Sequence, residues 1–172
     1  MAVALDDILL VLLGRRDASA YDLWHRHIAI LGAGRRVDIV RVMAAVSRLE
    51  RGGLLRVEPP QEVRKESWNR RRCQLTPAGR RRQAAWLCAI SSDIDADDMY
   101  VRGILAVEAA DQATFTAFLE NAQVAIRSRQ RQLAELERGA GSAVEQASIG
   151  FNQEVTRALL LWLHQLPDHH SA

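Results

Sequence analysis

The chain has 172 residues, 48% of them hydrophobic, which excludes a mainly disordered protein. No uninterrupted apolar run approaches the roughly 20 residues of a membrane helix, and the first residues lack the basic start of a secretory signal. The net charge is +2, but residues 1–87 carry 17 Lys and Arg against 9 Asp and Glu, whereas residues 88–172 carry 6 against 12. This asymmetry predicts that the N-terminal half binds a polyanion, although arginine-rich faces can also simply keep a protein soluble.

Three amphipathic helices are predicted in the first fifty residues. Apolar residues at helical spacing predict a first helix that ends before Gly14. Ser19 is placed to cap a second helix, which runs towards Leu31. Asp38 is placed to cap a third helix over residues 38–51.

The period of the pattern then changes from helix to strand. Residues 54–58 predict one strand and residues 71–75 predict its return strand. Thr76 and Pro77 open a fourth helix, because threonine is a favoured cap and proline suits the first turn. Three helices, a two-stranded hairpin and a helix are the order of a winged helix-turn-helix domain, which we assign to residues 1–90.

The third helix is the predicted recognition helix for double-stranded DNA. A helix fits the major groove, which is about 12 Å wide. Short side chains at Ala44 and Ser47 would let the backbone approach, and Arg41 and Arg48 would reach phosphates or guanine edges. The basic hairpin loop suits phosphates beside the groove. A winged helix that binds another protein without reading DNA is the alternative. The predicted contact residues are Arg36, Arg41, Met43, Ala44, Ser47, Arg48, Arg64, Lys65 and Arg70.

The C-terminal half is predicted to form a helical arm. The polar segment 91–98 marks a boundary, and we assign the arm to residues 96–168. A helix over residues 111–138, capped at its first residue, would be about 42 Å long. Ser142 and Glu145 then have the spacing of a capping box at the start of another helix.

Both arm helices have apolar stripes at three- and four-residue steps, which is the spacing of coiled-coil contacts. Two such helices have too little partner surface in one chain, so we predict a twofold homodimer through the arm. An arm that folds back on its own winged domain is the alternative. The predicted interface residues are Trp86, Phe115, Phe118, Ile126, Phe151, Val155, Leu159, Trp162 and Leu166.

No residue pattern predicts catalysis, a metal or a cofactor. The sequence lacks a Ser/His/Asp or Cys/His arrangement, and His25 and His27 stand two apart, so they point in different directions on a helix. Cys73 and Cys88 form no CxxC pair, which favours reduced thiols in a cytoplasmic protein. We therefore predict a protein that is not an enzyme.

Several segments together resemble the PadR family of bacterial transcription regulators. The apolar run 8–13 and the Ala-Tyr-Asp-Leu segment 20–23 resemble the family's first helix and the start of its second. Residues 46–55 resemble the exit from its recognition helix, and residues 75–80 resemble its Leu-Thr-x-x-Gly turn. The Trp-Leu segment 158–163 resembles the ending of the longer family members.

We predict a homodimeric repressor, whose twofold symmetry demands a near-palindromic operator. The resemblance implies a small aromatic effector in some members, for which Trp86 and Trp162 could supply stacking faces. The other interpretation of these tryptophans is that they belong to the dimer core.

The sequence departs from the family pattern inside the recognition helix. Met43 stands where the family has a tyrosine, and Ser47 stands where it has a lysine. Family contacts at these two positions therefore do not carry over directly. Arg41 and Arg48 are expected to replace them as contact residues.

Overall fold

A computed structural model describes residues 4–59, 71–93 and 95–170, except for the side chain of Ala33. Within these ranges the chain is mainly helical with one small antiparallel sheet, which confirms the predicted fold class. The helices are α1 Leu5–Leu12, α2 Ala20–Leu31, α3 Ile39–Arg51, α4 Pro77–Cys88, α5 Ala96–Ala109, α6 Gln112–Gly139 and α7 Ala143–Gln165. The strands are β1 Ala18–Ser19, β2 Leu55–Val57 and β3 Arg72–Leu75, and short 3-10 helices cover Ala33–Arg35 and Leu166–His169.

Helix α1 lies at the centre of the fold. Its apolar residues from Ile8 to Leu12 are buried on all sides, because α2, α3, α4 and α5 pack around it. The described helices include none that is both long enough and apolar enough to cross a membrane. The all-round burial of α1 is that of a core helix, because four other helices surround it.

All five predicted helix caps are confirmed. The side chains of Ser19, Asp38, Thr76, Asp111 and Ser142 each accept a hydrogen bond from a backbone N–H in the first turn of α2, α3, α4, α6 and α7. These bonds satisfy amide groups that have no partner inside the helix. The helix starts are thus set by local side-chain chemistry, which is why the sequence alone locates them.

The sheet has the order β1-β3-β2, with both pairs antiparallel. Strands β2 and β3 form the predicted hairpin, with Leu55 opposite Leu75 and Val57 opposite Cys73. Strand β1 adds a third strand that the sequence analysis missed, because two residues are too few for a periodic signal. Burial raises the pKa of the Cys73 thiol to about 12, so this cysteine stays a neutral core side chain.

The apolar core continues across the predicted domain boundary. Met99, Val101 and Leu105 of α5 are buried in the same cluster as the residues of α1. The sequence predicts only a short apolar segment of the arm in this stretch. Helix α5 instead packs against α1 and α2 as well as against α6 and α7. The division into residues 1–90 and 96–168 stays a prediction.

Helices α6 and α7 pack along each other to form the arm. Phe115, Phe118 and Ile126 on α6, together with Leu166 after α7, have at most 2% of their surface exposed within the single chain. They therefore have no surface to offer a second copy, which corrects their assignment to the dimer interface. A periodic stripe shows that a face is covered, but it does not show which neighbour covers it.

Candidate nucleic-acid interface

Helix α3 has one apolar face and one solvent face. Val42, Ala45, Val46 and Leu49 are buried against the core. The residues opposite them follow at steps of four, three and four, so they lie on one face of the helix. These outward-facing residues are Val40, Ala44, Ser47 and Arg51.

The predicted contact residues do not all share this face. Ala44 is exposed and Ser47 is half-buried at its centre, whereas Arg41 and Arg48 are exposed on one flank. Met43 lies on the other flank and packs partly against the core. Val40 is 65% exposed in the first turn of α3 and is not among the contact residues predicted from the sequence. The spacing could have identified Val40, because it precedes Ala44 by four residues and so lies on the same face of the helix.

Arg48 is held by an acidic residue of α1. Its Nη2 lies 2.5 Å from Oδ1 of Asp6, and its Nε donates to Oδ2 of the same carboxylate at 3.2 Å. The hydrogen bond that Arg48 donates to Asp6 raises the pKa of the guanidinium, so Arg48 keeps its positive charge. Arg48 must exchange this carboxylate before it can bind a phosphate.

Two further arginines near α3 have no such carboxylate. Arg36, in the turn before α3, and Arg41 are exposed and form no ion pair with any residue in the described ranges. Their charges can therefore meet an external anion without breaking an internal contact among those residues.

The turn between α2 and α3 is fixed from two sides. The indole N–H of Trp24 on α2 donates to the carbonyl of Val37 at 2.8 Å, one residue before the cap of α3. On the other side, the guanidinium of Arg35 pairs with Asp97 of α5. The start of α3 is therefore tied to two other helices.

The predicted phosphate contacts of the wing loop, Arg64, Lys65 and Arg70, lie outside the described residues. At the base of the hairpin, a cleft of about 660 Å³ lies between the end of α3, β2 and the start of α4. Arg56 and Arg81 line this cleft together with Glu50. The cleft is thus of mixed charge.

The two predicted effector tryptophans contact different parts of α5. The guanidinium carbon of Arg102 lies 4.3 Å from the ring centroid of Trp86, and Arg102 also donates to the Trp86 carbonyl. Trp162 stacks on Tyr100, with ring centroids 6.1 Å apart and planes inclined by 27°. Each indole thus has a partner from its own chain on one face. A small aromatic effector stays a prediction.

The arm carries an apolar stripe that its own chain leaves open. Val144 is 80% exposed and Phe151 is 69% exposed on α7. Val155, Leu159 and Trp162 continue along the helix as half-buried residues, and Trp86 on α4 is half-buried as well. The stripe follows alternating steps of four and three through Val144, Ser148, Phe151, Val155, Ala158 and Trp162. This is the spacing with which helices pair in coiled coils.

In the ranges that the structure describes, no group of three or more His, Cys, Asp or Glu side chains is placed to hold a metal ion. Both cysteines are unpaired, and burial raises the pKa of the Cys88 thiol as it does that of Cys73.

Comparison with known proteins gives matches among solved structures. No protein-family model matches the sequence, and no curated protein matches it. The chain is similar to PadR of Bacillus subtilis, solved in complex with operator DNA, at 14% identity and a TM-score of 0.43, covering 94% of this chain and 95% of that chain. It is similar to a Streptococcus mutans protein at 16% identity and a TM-score of 0.40, covering 95% and 98%. A PadR-like transcriptional regulator of Bacillus cereus gives 19% identity and a TM-score of 0.39, covering 95% and 96%.

Proposed function

We propose that this chain is a PadR-like transcription regulator that binds double-stranded DNA through helix α3. The observation that carries the proposal is the solvent face of α3. It combines short side chains at its centre with exposed arginines on its flank, and it lies opposite a fully buried apolar face. A helix of this kind can enter a major groove while the core holds its other side.

Each part of the face suits a different part of the duplex. Ala44 and Ser47 allow close approach to the base edges, and the exposed Val40 suits contact with a thymine methyl group. Arg41 and Arg36 flank this face and suit phosphates, which set the register of a protein on DNA. Arg48 joins them when it leaves Asp6. The surplus of basic residues in the first 87 positions favours the encounter with DNA.

We further propose that the protein binds as a homodimer through the stripe on α7. An exposed Phe151 between Val144 and Val155 is costly in water and gains about 25 cal/mol per Å² when it is buried. Twofold pairing of α7 would present two recognition helices to two half-sites. Such a dimer on a near-palindromic operator would act as a repressor by excluding other proteins from the site.

DNA binding is tested by selecting fragments from random genomic DNA with the purified full chain. We expect recovery of a near-palindromic sequence, whose labelled duplex then binds with an affinity that falls steeply with salt. Absence of any enriched sequence, together with no retention on heparin, would contradict the proposal. It would favour the alternative of a winged helix that binds another protein.

The dimer is tested by sedimentation of two matched variants. Phe151→Asp places a charge in the stripe, and we expect it to shift the protein from dimer to monomer. Val124→Asp is the control, because Val124 is similarly exposed, at 64%, but lies on the arginine-rich face of α6 with Arg127 and Arg131. A dimer that tolerates Phe151→Asp as well as Val124→Asp would remove α7 from the proposal.

A further inference from the structure

Helix α5 connects the recognition helix with the dimer stripe. It packs against α2, which leads into the turn before α3, and against α7, which carries the stripe. Asp97, Tyr100 and Gly103 lie at three-residue steps along α5, so they share one face. This face contacts the turn at its first two positions and α7 at its last two.

On the side of the turn, the contact is made by Arg35. Its guanidinium pairs with Asp97 and lies over the ring of Tyr100, with the guanidinium carbon 5.3 Å from the ring centroid. A cation in this position is attracted to the ring face. The Arg35 side chain is 30% exposed, and both partners direct it onto α5 rather than outwards. Arg35 is therefore distinct from its neighbour Arg36, which is exposed.

On the side of the arm, the contact with α5 is made by Trp162. It stacks on Tyr100 and also lies directly against the backbone of α5 at Gly103. A Cβ atom at position 103 would lie 2.4 Å from Cη2 of Trp162, so only glycine admits the indole at this position. Tyr100 thus contacts both Arg35 and Trp162, which come from different parts of the chain.

We propose that Arg35 is a positioning residue, which acts with Asp97, Tyr100 and Trp162 as a brace that sets the angle between the recognition helix and α7. This inference rests on the proposed function. Arg35 stands four residues before Ile39, where α3 begins, and Trp162 ends the stripe through which we propose that two copies pair. The brace therefore fixes the recognition helix relative to the twofold axis.

The brace has a consequence that a direct DNA contact does not have. Two recognition helices must fit half-sites about 34–36 Å apart, so a loosened angle reduces binding to the paired site. A single half-site accepts any angle, so its affinity stays unchanged. A residue that touches DNA contributes to both.

The test compares two duplexes, the full site selected by the wild-type protein and the same duplex with one half-site scrambled. We expect Arg35→Ala and Tyr100→Ala each to lower the affinity for the full site by about two- to thirtyfold and to leave the half-site affinity unchanged. The control is Arg36→Ala, which should lower both affinities, and the full-site factor should be about the square of the half-site factor because a homodimer carries the substitution twice. A half-site loss for Arg35→Ala like that of Arg36→Ala, or no loss on the full site for Tyr100→Ala, would overturn the brace.

A second measurement needs no DNA. We expect the changes in the free energy of unfolding caused by Arg35→Ala and Trp162→Leu to be non-additive in the double variant, because Tyr100 contacts both side chains. The pair Arg36→Ala and Trp162→Leu should be additive. If the effects of Arg35→Ala and Trp162→Leu on the free energy of unfolding are additive, the brace is overturned, whatever the protein binds. A wild-type protein that binds neither duplex would refute the proposed function, and the unfolding result would still decide the brace.

Discussion

Arg41 gives the sharpest test of how α3 meets DNA. It is exposed on the flank of α3 and has no ion pair among the described residues, so its loss breaks no internal contact there. Each phosphate contact changes the slope of log affinity against log salt by about 0.9 on B-DNA. A homodimer carries every substitution twice, so Arg41→Ala should make the slope shallower by about 1.8. When salt rises from about 50 to 200 mM, the factor by which affinity falls should be about twelvefold smaller for the variant than for the wild-type protein.

Fluorescence anisotropy of the selected duplex over this salt range measures both slopes. Arg157→Ala is the control, because Arg157 is an exposed arginine of α7 whose guanidinium is held by Glu154 at 2.7 Å. Its slope should match that of the wild-type protein. If Arg41→Ala also keeps the wild-type slope while the protein remains dimeric, Arg41 touches no phosphate and the proposed orientation of α3 is wrong.

Three further substitutions test contacts that the structure reveals. Asp6→Asn should raise DNA affinity by releasing Arg48, and the gain should vanish when Arg48→Ala is added; anisotropy titrations that show the same gain in both backgrounds would refute this competition. Burial lowers the pKa of His27, whose Nδ1 has no hydrogen-bond partner in the described ranges, so the wild-type free energy of unfolding should fall as pH drops below about 6.5. Urea titrations of His27→Leu should show a smaller fall in the free energy of unfolding, and a pH profile identical to that of the wild-type protein would count against this role of His27. Ser19→Ala should cost about 1 kcal/mol at neutral pH. The Ser19 hydrogen bond lowers the pKa of Asp22, so this stabilisation is present above the ordinary value of 3.8 and should shrink in acid, as thermal unfolding at both pH values can check.

The helices and the hairpin were predictable because their signals are local. Ser19, Asp38 and Ser142 cap helices by bonds to amides two or three residues away, and such bonds form whatever the rest of the chain does. The predicted recognition helix over residues 38–51 differs from α3 only in its cap. Strand β1 was missed because its pairing with β3 spans more than fifty residues and leaves no periodic trace.

The candidate site was predictable in its location but not in its partners. Arg41 and Arg48 are both basic residues beside the apolar stripe of α3, and nothing in their spacing distinguishes them. Only the packing of α1 against α3 brings Asp6 within 2.5 Å of Arg48 and leaves Arg41 without a carboxylate among the described residues. The same limit applies to the arm, where Phe118 and Phe151 both lie on apolar stripes, yet one is buried and the other is exposed.

The sequence by itself determined where the capped helices α2, α3, α4, α6 and α7 begin, which faces are apolar and which half of the chain is basic, because these properties depend on neighbours a few residues apart. Tertiary structure alone decided which stripes stay open and which arginines are engaged. It also decided that α5 joins Arg35 to Trp162, residues far apart in the chain. The reason is physical: a side chain's periodicity records that it needs a partner, whereas the identity of that partner depends on distances that only the packed chain defines.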